Sequence, residues 1–349
     1  MLDEVRLTTF SHGAGCACKL GPAELTKVLG TLDTVDLPTE LLVSADTGDD
    51  AAAWSLGDGR VLVATVDVFT PIVDDPYDWG RIAATNAFSD VYAMGGLPAM
   101  ALNVAGWPVD DLPLDLLGQV LRGGQDVAAA AGAVVVGGHT ITATEPIYGM
   151  VALGFADEGR LIRNSTATAG ERLFLTKPIG LGMISTAIKR GTATAEQTEA
   201  AVRTMTALNA AAASAMVEAG VDAATDVTGF GLLGHLRKLL EASDVAARVD
   251  ASAVPTLPGV LDLARSGVVA GGTQRNHAWL NATTNWGALT TPEQLVLADA
   301  QTSGGLLIAT RHDDALATAL DGAGVPFARV GEVVEGAAGR IVVAGRVTE

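Results

Sequence analysis

The chain has 349 residues, enough for two domains that each bury a core, and 49% hydrophobic content with few aromatic residues is typical of a folded aliphatic protein. A formal charge of −18 argues against a nucleic-acid partner, because a phosphate backbone requires a basic surface. No apolar stretch reaches membrane-spanning length and the first 25 residues show no secretory signal, so we expect a cytoplasmic protein that does not enter a membrane.

Residues 1–45 are predicted to form a glycine-rich leader that contains both cysteines of the chain, with one short helix near residues 22–32. Two cysteines separated by one residue cannot form the disulfide framework of a small secreted protein, so their role is chemical rather than structural. Lys19 and His12 lie near Cys16 in the sequence and favour the thiolate, which is the reactive form of cysteine.

Residues 46–157 are predicted to form an N-terminal unit of strands and helices. Short apolar runs predict strands, and longer periodic segments closed by glycine predict helices. In chain order these are a strand over Val61–Val66 that ends on Asp67, a helix over Arg81–Met94, a helix over Leu114–Ala131, a strand over Ala133–Val136 that runs into Gly137-Gly138-His139, and a strand over Ile147–Phe155.

The polar segment Asp157–Gly170, rich in Thr, Ser and Gly, is the predicted boundary before a C-terminal unit over residues 170–349. This unit is predicted to contain a strand over Leu173–Thr176, one long helix over Glu196–Ala219, and a further helix after Gly231. Strands and helices do not alternate regularly, so the predicted fold class is α+β.

Four acidic sites share one local pattern, in which an Asp follows an apolar run or lies beside glycine. They are Gly48-Asp49-Asp50, Thr65-Val66-Asp67, Ser89-Asp90 and Thr225-Asp226. Such oxygen ligands suit Mg²⁺, which takes one or two carboxylates and completes its shell with water and phosphate oxygens. Asn86 and Asp90 are four residues apart on one predicted helix and would point to the same side. For any single Asp, a turn or helix-cap role is the alternative.

Gly229-Phe-Gly-Leu-Leu-Gly234 fits the dinucleotide pattern Gly-x-Gly-x-x-Gly, and Asp250 lies about the right distance downstream. The preceding residues, Ala-Ala-Thr-Asp-Val-Thr, make a poor buried strand, so we prefer a glycine turn that enters a helix. No Walker motif occurs in the sequence. His139 follows a double glycine at a predicted strand end, where it is either a structural hydrogen-bonding residue or a residue close to a ligand.

Seven blocks of sequence, in order along almost the whole chain, resemble the selenophosphate synthetase (selenide, water dikinase) family. The blocks are Ser11-His-Gly-Ala-Gly-Cys-Ala-Cys-Lys19, Gly48-Asp-Asp-Ala-Ala52, Gly80-Arg-Ile-Ala-Ala-Thr-Asn86, Ser89-Asp-Val-Tyr-Ala-Met-Gly-Gly96, Gly137-Gly-His-Thr140, Thr225-Asp-Val-Thr-Gly-Phe-Gly-Leu-Leu-Gly-His235 and Gln301-Thr-Ser-Gly-Gly-Leu-Leu307.

The resemblance implies an enzyme that converts ATP, hydrogen selenide and water to selenophosphate, AMP and orthophosphate, which supplies selenium for selenocysteine and selenouridine. It also implies the two-domain α+β fold of aminoimidazole ribonucleotide synthetase-like ATPases, in which the N-terminal domains of a homodimer join strands in a β-barrel. Mg²⁺ is the implied cofactor, and ATP and selenide are the implied small-molecule partners.

The resemblance also assigns roles to residues of this sequence. Cys16 resembles the catalytic cysteine and Lys19 the catalytic lysine that contacts ATP phosphates. The implied magnesium ligands are Asp50, Asp90 and Asp226. The implied ATP contacts are Thr47, Gly48, Asp49, Asp67 and Asp90, together with Gly138, His139 and Thr140, which would reach ATP bound mainly by the other subunit.

One residue departs from the family pattern, since Ala17 stands where glycine usually separates the two cysteines. Two other functions remain open at this stage. A related ATP-dependent synthetase or small-molecule kinase would lack the thiol leader. A metal or selenium carrier would use Cys16 and Cys18 as soft ligands and would consume no nucleotide.

Overall fold

The computed structural model describes residues 5–13, 27–28, 30–31, 36–44 and 48–348. The predicted helix near residues 22–32 lies mostly outside this part of the chain. The described residues form two mixed β-sheets, one in each half of the chain, with helices packed against them, which confirms the α+β class. No helix among these residues is long and apolar enough to cross a membrane.

The N-terminal sheet has six strands in the spatial order β1-β2-β3-β6-β4-β5, all antiparallel neighbours except the parallel pair β4 and β5. The strands are β1 (Leu41–Val43), β2 (Ala52–Ser55), β3 (Arg60–Phe69), β4 (Leu97–Trp107), β5 (Val134–Thr142) and β6 (Ile147–Asp157). Helices α1 (Pro76–Ala93) and α2 (Leu114–Ala130) pack together on one face of this sheet. Asp75 begins α1, because its carboxylate accepts a hydrogen bond from the Asp78 amide.

Glycine lets α1 and α2 pack at backbone distance. A Cβ at Gly80 of α1 would lie 2.0 Å from the Val120 carbonyl oxygen, and a Cβ at Gly123 of α2 would lie 2.1 Å from the Tyr77 carbonyl oxygen. Glycine at position 123 therefore marks a close helix contact, and α2 continues through it.

The C-terminal sheet has seven strands in the order β10-β13-β9-β12-β7-β11-β8. The strands are β7 (Arg172–Leu175), β8 (Ala223–Asp226), β9 (Ala246–Asp250), β10 (Thr284–Asn285), β11 (Leu306–Thr310), β12 (Ala328–Val334) and β13 (Ile341–Ala344). The helices are α3 (Leu181–Arg190), α4 (Ala195–Thr206), α5 (Ala210–Ala219), α6 (Gly231–Ala242), α7 (Val260–Arg265), α8 (Gly271–Leu280), α9 (Thr291–Leu297) and α10 (Asp313–Gly322).

Helix α1 also contacts the C-terminal half, where it packs against β8, α4 and α5. Polar side chains fix this contact. Asn86 donates from Nδ2 to Asp67 Oδ2 of β3 (2.5 Å) and accepts at Oδ1 from the Ser303 amide (2.7 Å). Asn209 donates from Nδ2 to the hydroxyl of Ser89 (2.9 Å) and to the carbonyl of Gly304. Because these groups are buried, their hydrogen bonds specify one arrangement of the two halves.

Two strands are longer than predicted. The strand predicted to end on Asp67 runs to Phe69, so Asp67 lies within β3 and pairs with Met150 of β6. The strand predicted over Ala133–Val136 runs through the double glycine to Thr142, so His139 lies inside β5 rather than at a strand end. In both cases, hydrogen bonds to neighbouring strands extend the strand beyond the apolar run from which it was predicted. The local sequence pattern does not show this extension.

The helix predicted over Glu196–Ala219 is two helices, α4 and α5, separated at Ala207–Asn209. Tertiary hydrogen bonds take the place of helical ones at this break. The carbonyl of Ala207 accepts from the Lys177 ammonium, and the Asn209 side chain bonds Ser89 and Gly304. The continuous apolar face of the sequence gives no sign of these distant partners.

We predict opposite effects of alanine at two glycines of α2. Gly123→Ala places a methyl group against the Tyr77 carbonyl and should destabilise the protein by about 1–3 kcal/mol. Gly118→Ala is the matched control, because nothing lies within 4 Å of the position that its methyl group would take, and it should stabilise the helix by up to about 1 kcal/mol. Urea unfolding of both variants measures the difference, and equal stabilities would contradict this close helix packing.

Candidate active site

The loop at Gly48–Asp50 lies against the end of strand β8. The Thr225 hydroxyl donates to Asp50 Oδ1 (2.7 Å). Asn164 holds the other side of the loop. Its backbone amide donates to Asp49 Oδ2 (3.1 Å), and its side-chain Nδ2 donates to the Gly48 carbonyl (3.1 Å). The loop, which follows β1, is therefore fixed to the C-terminal half.

Asp50 lies in a strongly negative environment. Burial raises the pKa of its carboxyl well above the ordinary value, and the charges of Asp226, Asp49 and Asp90 raise it further. Its Oδ2 atom is buried and has no hydrogen-bond partner among the described residues. A buried carboxylate oxygen that faces like charges without a donor fits a cation ligand. Three of the predicted site residues, Asp50, Asp90 and Asp226, are thus electrostatic neighbours.

No three His, Cys, Asp or Glu side chains within the described ranges are arranged to enclose a metal ion by themselves. Mg²⁺ does not require such an arrangement, because it usually takes one or two carboxylates and fills the remaining positions with water and substrate phosphates. The donor set around Asp50 consists of hard oxygen atoms, which this ion prefers.

Asp67 and Asp90 are nearly buried beside this cluster, and each accepts a short hydrogen bond. Asn86 Nδ2 lies 2.5 Å from Asp67 Oδ2, and the Thr65 hydroxyl lies 2.5 Å from Asp90 Oδ2. Thr65 and Asp67 belong to β3, whereas Asn86 and Asp90 belong to α1. The predicted placement of Asn86 and Asp90 on one helix is confirmed, and the helix presents both to the sheet.

Gly138, His139 and Thr140 lie away from the acidic cluster of their own chain. They are exposed residues of β5, the edge strand, which is three strands from β3 in the sheet order. Neighbouring strands are about 4.8 Å apart, so roughly 14 Å separates β5 from the strand that carries Asp67. Within one chain the two sets of predicted residues do not form a single pocket.

Cys16, Lys19 and Thr47 lie outside the described residues. Their predicted roles rest on the sequence.

Two lysines near the cluster were not identified from the sequence. Lys177 is buried and donates from Nζ to the carbonyls of Ala207 (2.7 Å) and Ser303 (3.0 Å). Burial lowers its pKa to about 7, although the charge of Asp226 opposes this. Lys238 extends from α6 toward the Gly48 loop, and its Nζ lies 2.9 Å from the point that a Cβ would occupy at Gly48. Burial lowers the pKa of Lys238, although the charges of Glu241 and Asp50 oppose this. No local motif surrounds either lysine, and only the folded chain brings them to the site.

The glycine hexamer does not form a dinucleotide-binding unit. The expectation that the residues before Gly229 make a poor buried strand was wrong. Ala223–Asp226 form a fully buried strand, β8, and the chain leads from it through the glycines into α6. However, β8 lies at one end of the sheet order, beside β11, and three strands separate it from β9. A dinucleotide fold requires parallel neighbouring strands joined by that helix. Asp250 instead accepts hydrogen bonds from the amide and hydroxyl of Ser252.

Comparison with known proteins extends over nearly the whole chain. Two family descriptions match, "AIR synthase related protein, N-terminal domain" over residues 48–156 and "AIR synthase related protein, C-terminal domain" over residues 168–344. Selenide, water dikinase of Escherichia coli (strain K12) is 44% identical over 344 residues, which cover 98% of each chain.

Solved structures show the same fold at low sequence identity. Thiamine-monophosphate kinase from Stenotrophomonas maltophilia K279a has a TM-score of 0.64 at 21% identity, with 89% of this chain and 93% of that chain covered. HypE of E. coli, a hydrogenase maturation protein, has a TM-score of 0.64 at 19% identity, with 81% and 82% covered. These likenesses establish the two-domain α+β architecture.

We predict that Asp50→Asn makes the protein more stable in the absence of divalent cations. Because the folded-state pKa of Asp50 is raised, wild-type stability falls as pH rises from about 4 through that pKa, and the variant lacks this loss. Thermal melts at pH 4 to 8 should therefore show that the melting temperature of the variant exceeds that of the wild type by an amount that grows with pH. Added Mg²⁺ should raise the melting temperature of the wild type more than that of the variant.

The matched control is Asp110→Asn, which makes the same change at an exposed position far from the cluster in sequence. It should leave both the pH dependence and the Mg²⁺ response unchanged. An Asp50→Asn protein that melts below the wild type at every pH would contradict the like-charge interpretation.

Proposed function

The chain belongs to the selenide, water dikinase family, and we propose that its site converts ATP, hydrogen selenide and water to selenophosphate, AMP and orthophosphate. The acidic cluster around Asp50 carries this proposal, because described residues of three of the seven sequence blocks meet there, namely Asp50, Asp90 and Asp226 with its neighbour Thr225. A buried carboxyl whose pKa is raised by burial and by neighbouring charges, as that of Asp50 is, is typical of functional sites.

Asp50, Asp90 and Asp226 would hold Mg²⁺ at this cluster. When bound, the ion supplies positive charge that offsets the charge developing on phosphate oxygens during phosphoryl transfer. Without a cation, a protein with a net charge of −18 would repel a triphosphate from this cluster. The buried Asp50 Oδ2, which lacks a donor within the described residues, supports this assignment.

Thr47, Gly48, Asp49, Asp67 and Asp90 bind ATP in this proposal. Two of these carboxylates are already oriented, since Asn86 donates to Asp67 and Thr65 donates to Asp90. Hydrogen bonds of this kind fix a side-chain rotamer before the ligand arrives, which lowers the entropic cost of binding. Gly48 adopts a left-handed backbone (φ 62°), which favours glycine at that position.

Cys16 captures or guides selenium in this proposal, and Lys19 binds the phosphate oxygens of ATP. The thiolate is the reactive form of cysteine, and the neighbouring ammonium favours it. A soft sulfur suits selenium chemistry better than the hard carboxylate oxygens of the cluster do. We place the leader at residues 1–45 and the two domains at residues 46–157 and 170–349, and we place the reaction in the reducing cytoplasm.

A second copy of the chain is the proposed protein partner. No described helix covers the apolar sheet face opposite α1 and α2, and Val66 of β3 and Val136 and Ile141 of β5 are each more than half exposed. An uncovered apolar sheet face of this kind usually marks an interface. Dimerisation would also bring Gly138, His139 and Thr140 of the exposed edge strand to ATP held mainly by the other subunit.

We predict that Cys16→Ser abolishes selenide-dependent formation of AMP. Anaerobic incubation with ATP, Mg²⁺ and selenide, followed by phosphorus NMR, should show selenophosphate, AMP and orthophosphate with the wild type and none of the three above background with the variant. Cys18→Ala is the matched control and should retain activity. A related kinase would give ADP, a carrier would leave ATP intact, and either result would overturn the proposed reaction.

We predict that Val66→Lys dissociates the dimer, because two-fold symmetry places two new charges in the apolar interface. Sedimentation velocity should give twice the 35.4 kDa chain mass for the wild type and a single chain mass for the variant. Val342→Lys is the control, since it makes the same change at an exposed strand residue of the C-terminal sheet. A monomeric wild type would rule out this interface.

A further inference from the structure

Lys238 places a positive charge beside the acidic cluster. It belongs to α6, is half-buried, and its Nζ lies 2.9 Å from the point that a Cβ would occupy at Gly48. The ammonium makes no hydrogen bond or ion pair with any residue that the structure describes. Removing a charged group partly from water costs free energy unless an acceptor or an opposite charge meets it. The position of Lys238 therefore suits a group that binds an anionic ligand.

The carboxylates closest to Lys238 in charge have other donors or none. Glu241, one turn further along α6, accepts from Arg237 Nε (2.7 Å). Asp50 accepts from the Thr225 hydroxyl at Oδ1, and its Oδ2 has no partner within the described ranges. An ammonium and a carboxylate oxygen thus lie in one site without pairing with each other. Such a site fits a ligand with charges of both signs, and phosphates bridged by a divalent cation have this character.

Phe230 fixes the direction of the ammonium without occupying its donors. Lys238 Nζ lies 5.1 Å from the centroid of the Phe230 ring, within the range of a cation–π interaction. The ring itself packs against the rings of His235 (5.4 Å between centroids) and Trp279 (6.3 Å). A lysine ammonium has three N–H donors, and the ring face uses its charge rather than those donors. Lys238 therefore keeps its donors for a ligand.

We propose that Lys238 binds phosphate oxygens of the ATP held at the Gly48–Asp50 loop. The inference rests on the proposed function and adds a residue to its site, since Lys238 lies three residues beyond the sequence block that ends at His235. A triphosphate brings more negative charge to a cluster of carboxylates. An ammonium at this position attracts it, and a partly buried charge interacts more strongly than one in bulk water.

A structural role for Lys238 predicts a different result from a phosphate contact. A lysine that only supported the Gly48 loop would weaken the binding of Mg²⁺ and of ATP together when it is replaced. A lysine that contacts phosphate weakens ATP binding alone, because the loss of a positive charge near the carboxylates favours Mg²⁺. Measurements of both ligands therefore distinguish the two roles.

The binding test compares Lys238→Met and Lys238→Arg with the wild type by isothermal titration calorimetry. The ligands are ATP and inorganic triphosphate, each with Mg²⁺ and without selenide. Methionine keeps the apolar stem and the helix propensity of lysine, so α6 should remain intact. Lys238→Met should raise Kd about ten-fold or more for both ligands, the effect of losing a charge-assisted hydrogen bond. Lys238→Arg should recover part of the affinity, because guanidinium also binds phosphate.

The matched control is Arg122→Met, which removes one positive charge from an exposed position of α2. The next residue, Gly123, lies against Tyr77 in the first turn of α1, and Asp90 is 13 residues further along that helix, roughly 20 Å away. Arg122→Met should bind both ligands as the wild type does. A loss equal to that of Lys238→Met would show an effect of net charge and would overturn the phosphate contact.

Thermal melts with Mg²⁺ alone test the structural role. Added Mg²⁺ should raise the melting temperature of Lys238→Met at least as much as that of the wild type. A response to Mg²⁺ that falls together with ATP affinity would assign Lys238 to the fold of the loop instead. Weaker binding of ATP with unchanged binding of inorganic triphosphate would indicate contact with the nucleoside and would also contradict the proposal.

The failure of this inference and the failure of the proposed function are distinguishable, because binding is measured without selenide. A wild type that binds ATP with Mg²⁺ but forms no selenophosphate overturns the proposed reaction, and the calorimetric comparison still decides on Lys238. A wild type that binds neither ATP nor inorganic triphosphate, or a Lys238→Met protein that binds both as tightly as the wild type, overturns the role of Lys238.

Discussion

Helix α1 determines how the two halves of the chain meet, because 14 of its 18 residues are buried and it contacts both sheets. Burial places a strict demand on its polar residues, since a buried donor or acceptor without a partner costs about 1–3 kcal/mol. Asn86 meets that demand with Asp67 on one side and the Ser303 amide on the other, and Ser89 with Asn209. The same residues that join the halves therefore orient the proposed ATP site.

Charge repulsion is the second constraint, and it acts at the same place. Asp50 lies where burial and three neighbouring carboxylates oppose its ionised form, so the fold keeps a locally unfavourable arrangement. Such an arrangement persists when surrounding packing over-determines it and when it serves a ligand.

Most helices and strands follow local sequence signals, and α2, β6 and β7 were predicted to within about two residues at each end. The helix predicted over Arg81–Met94 begins earlier, at Pro76, because Asp75 caps it locally. The other differences share one cause, contact with residues that are distant in the sequence. The strand through His139 and the strand through Asp67 are extended by pairing with neighbours, and β8 is buried because β11 and α1 cover it. The break at Ala207–Asn209 arises from hydrogen bonds to residues that are distant in the sequence. Local periodicity contains none of these contacts.

The sequence by itself determined the family, the α+β class and the residue types of the proposed chemistry, because seven short blocks occur in one order and each combines glycine with polar or charged side chains. Only the tertiary structure decided which of those blocks meet. Asp50 and Thr225 come together across 175 positions, whereas Gly138 remains on the far edge of its own sheet. Proximity of this kind depends on strand order and helix packing, which are properties of the whole folded chain.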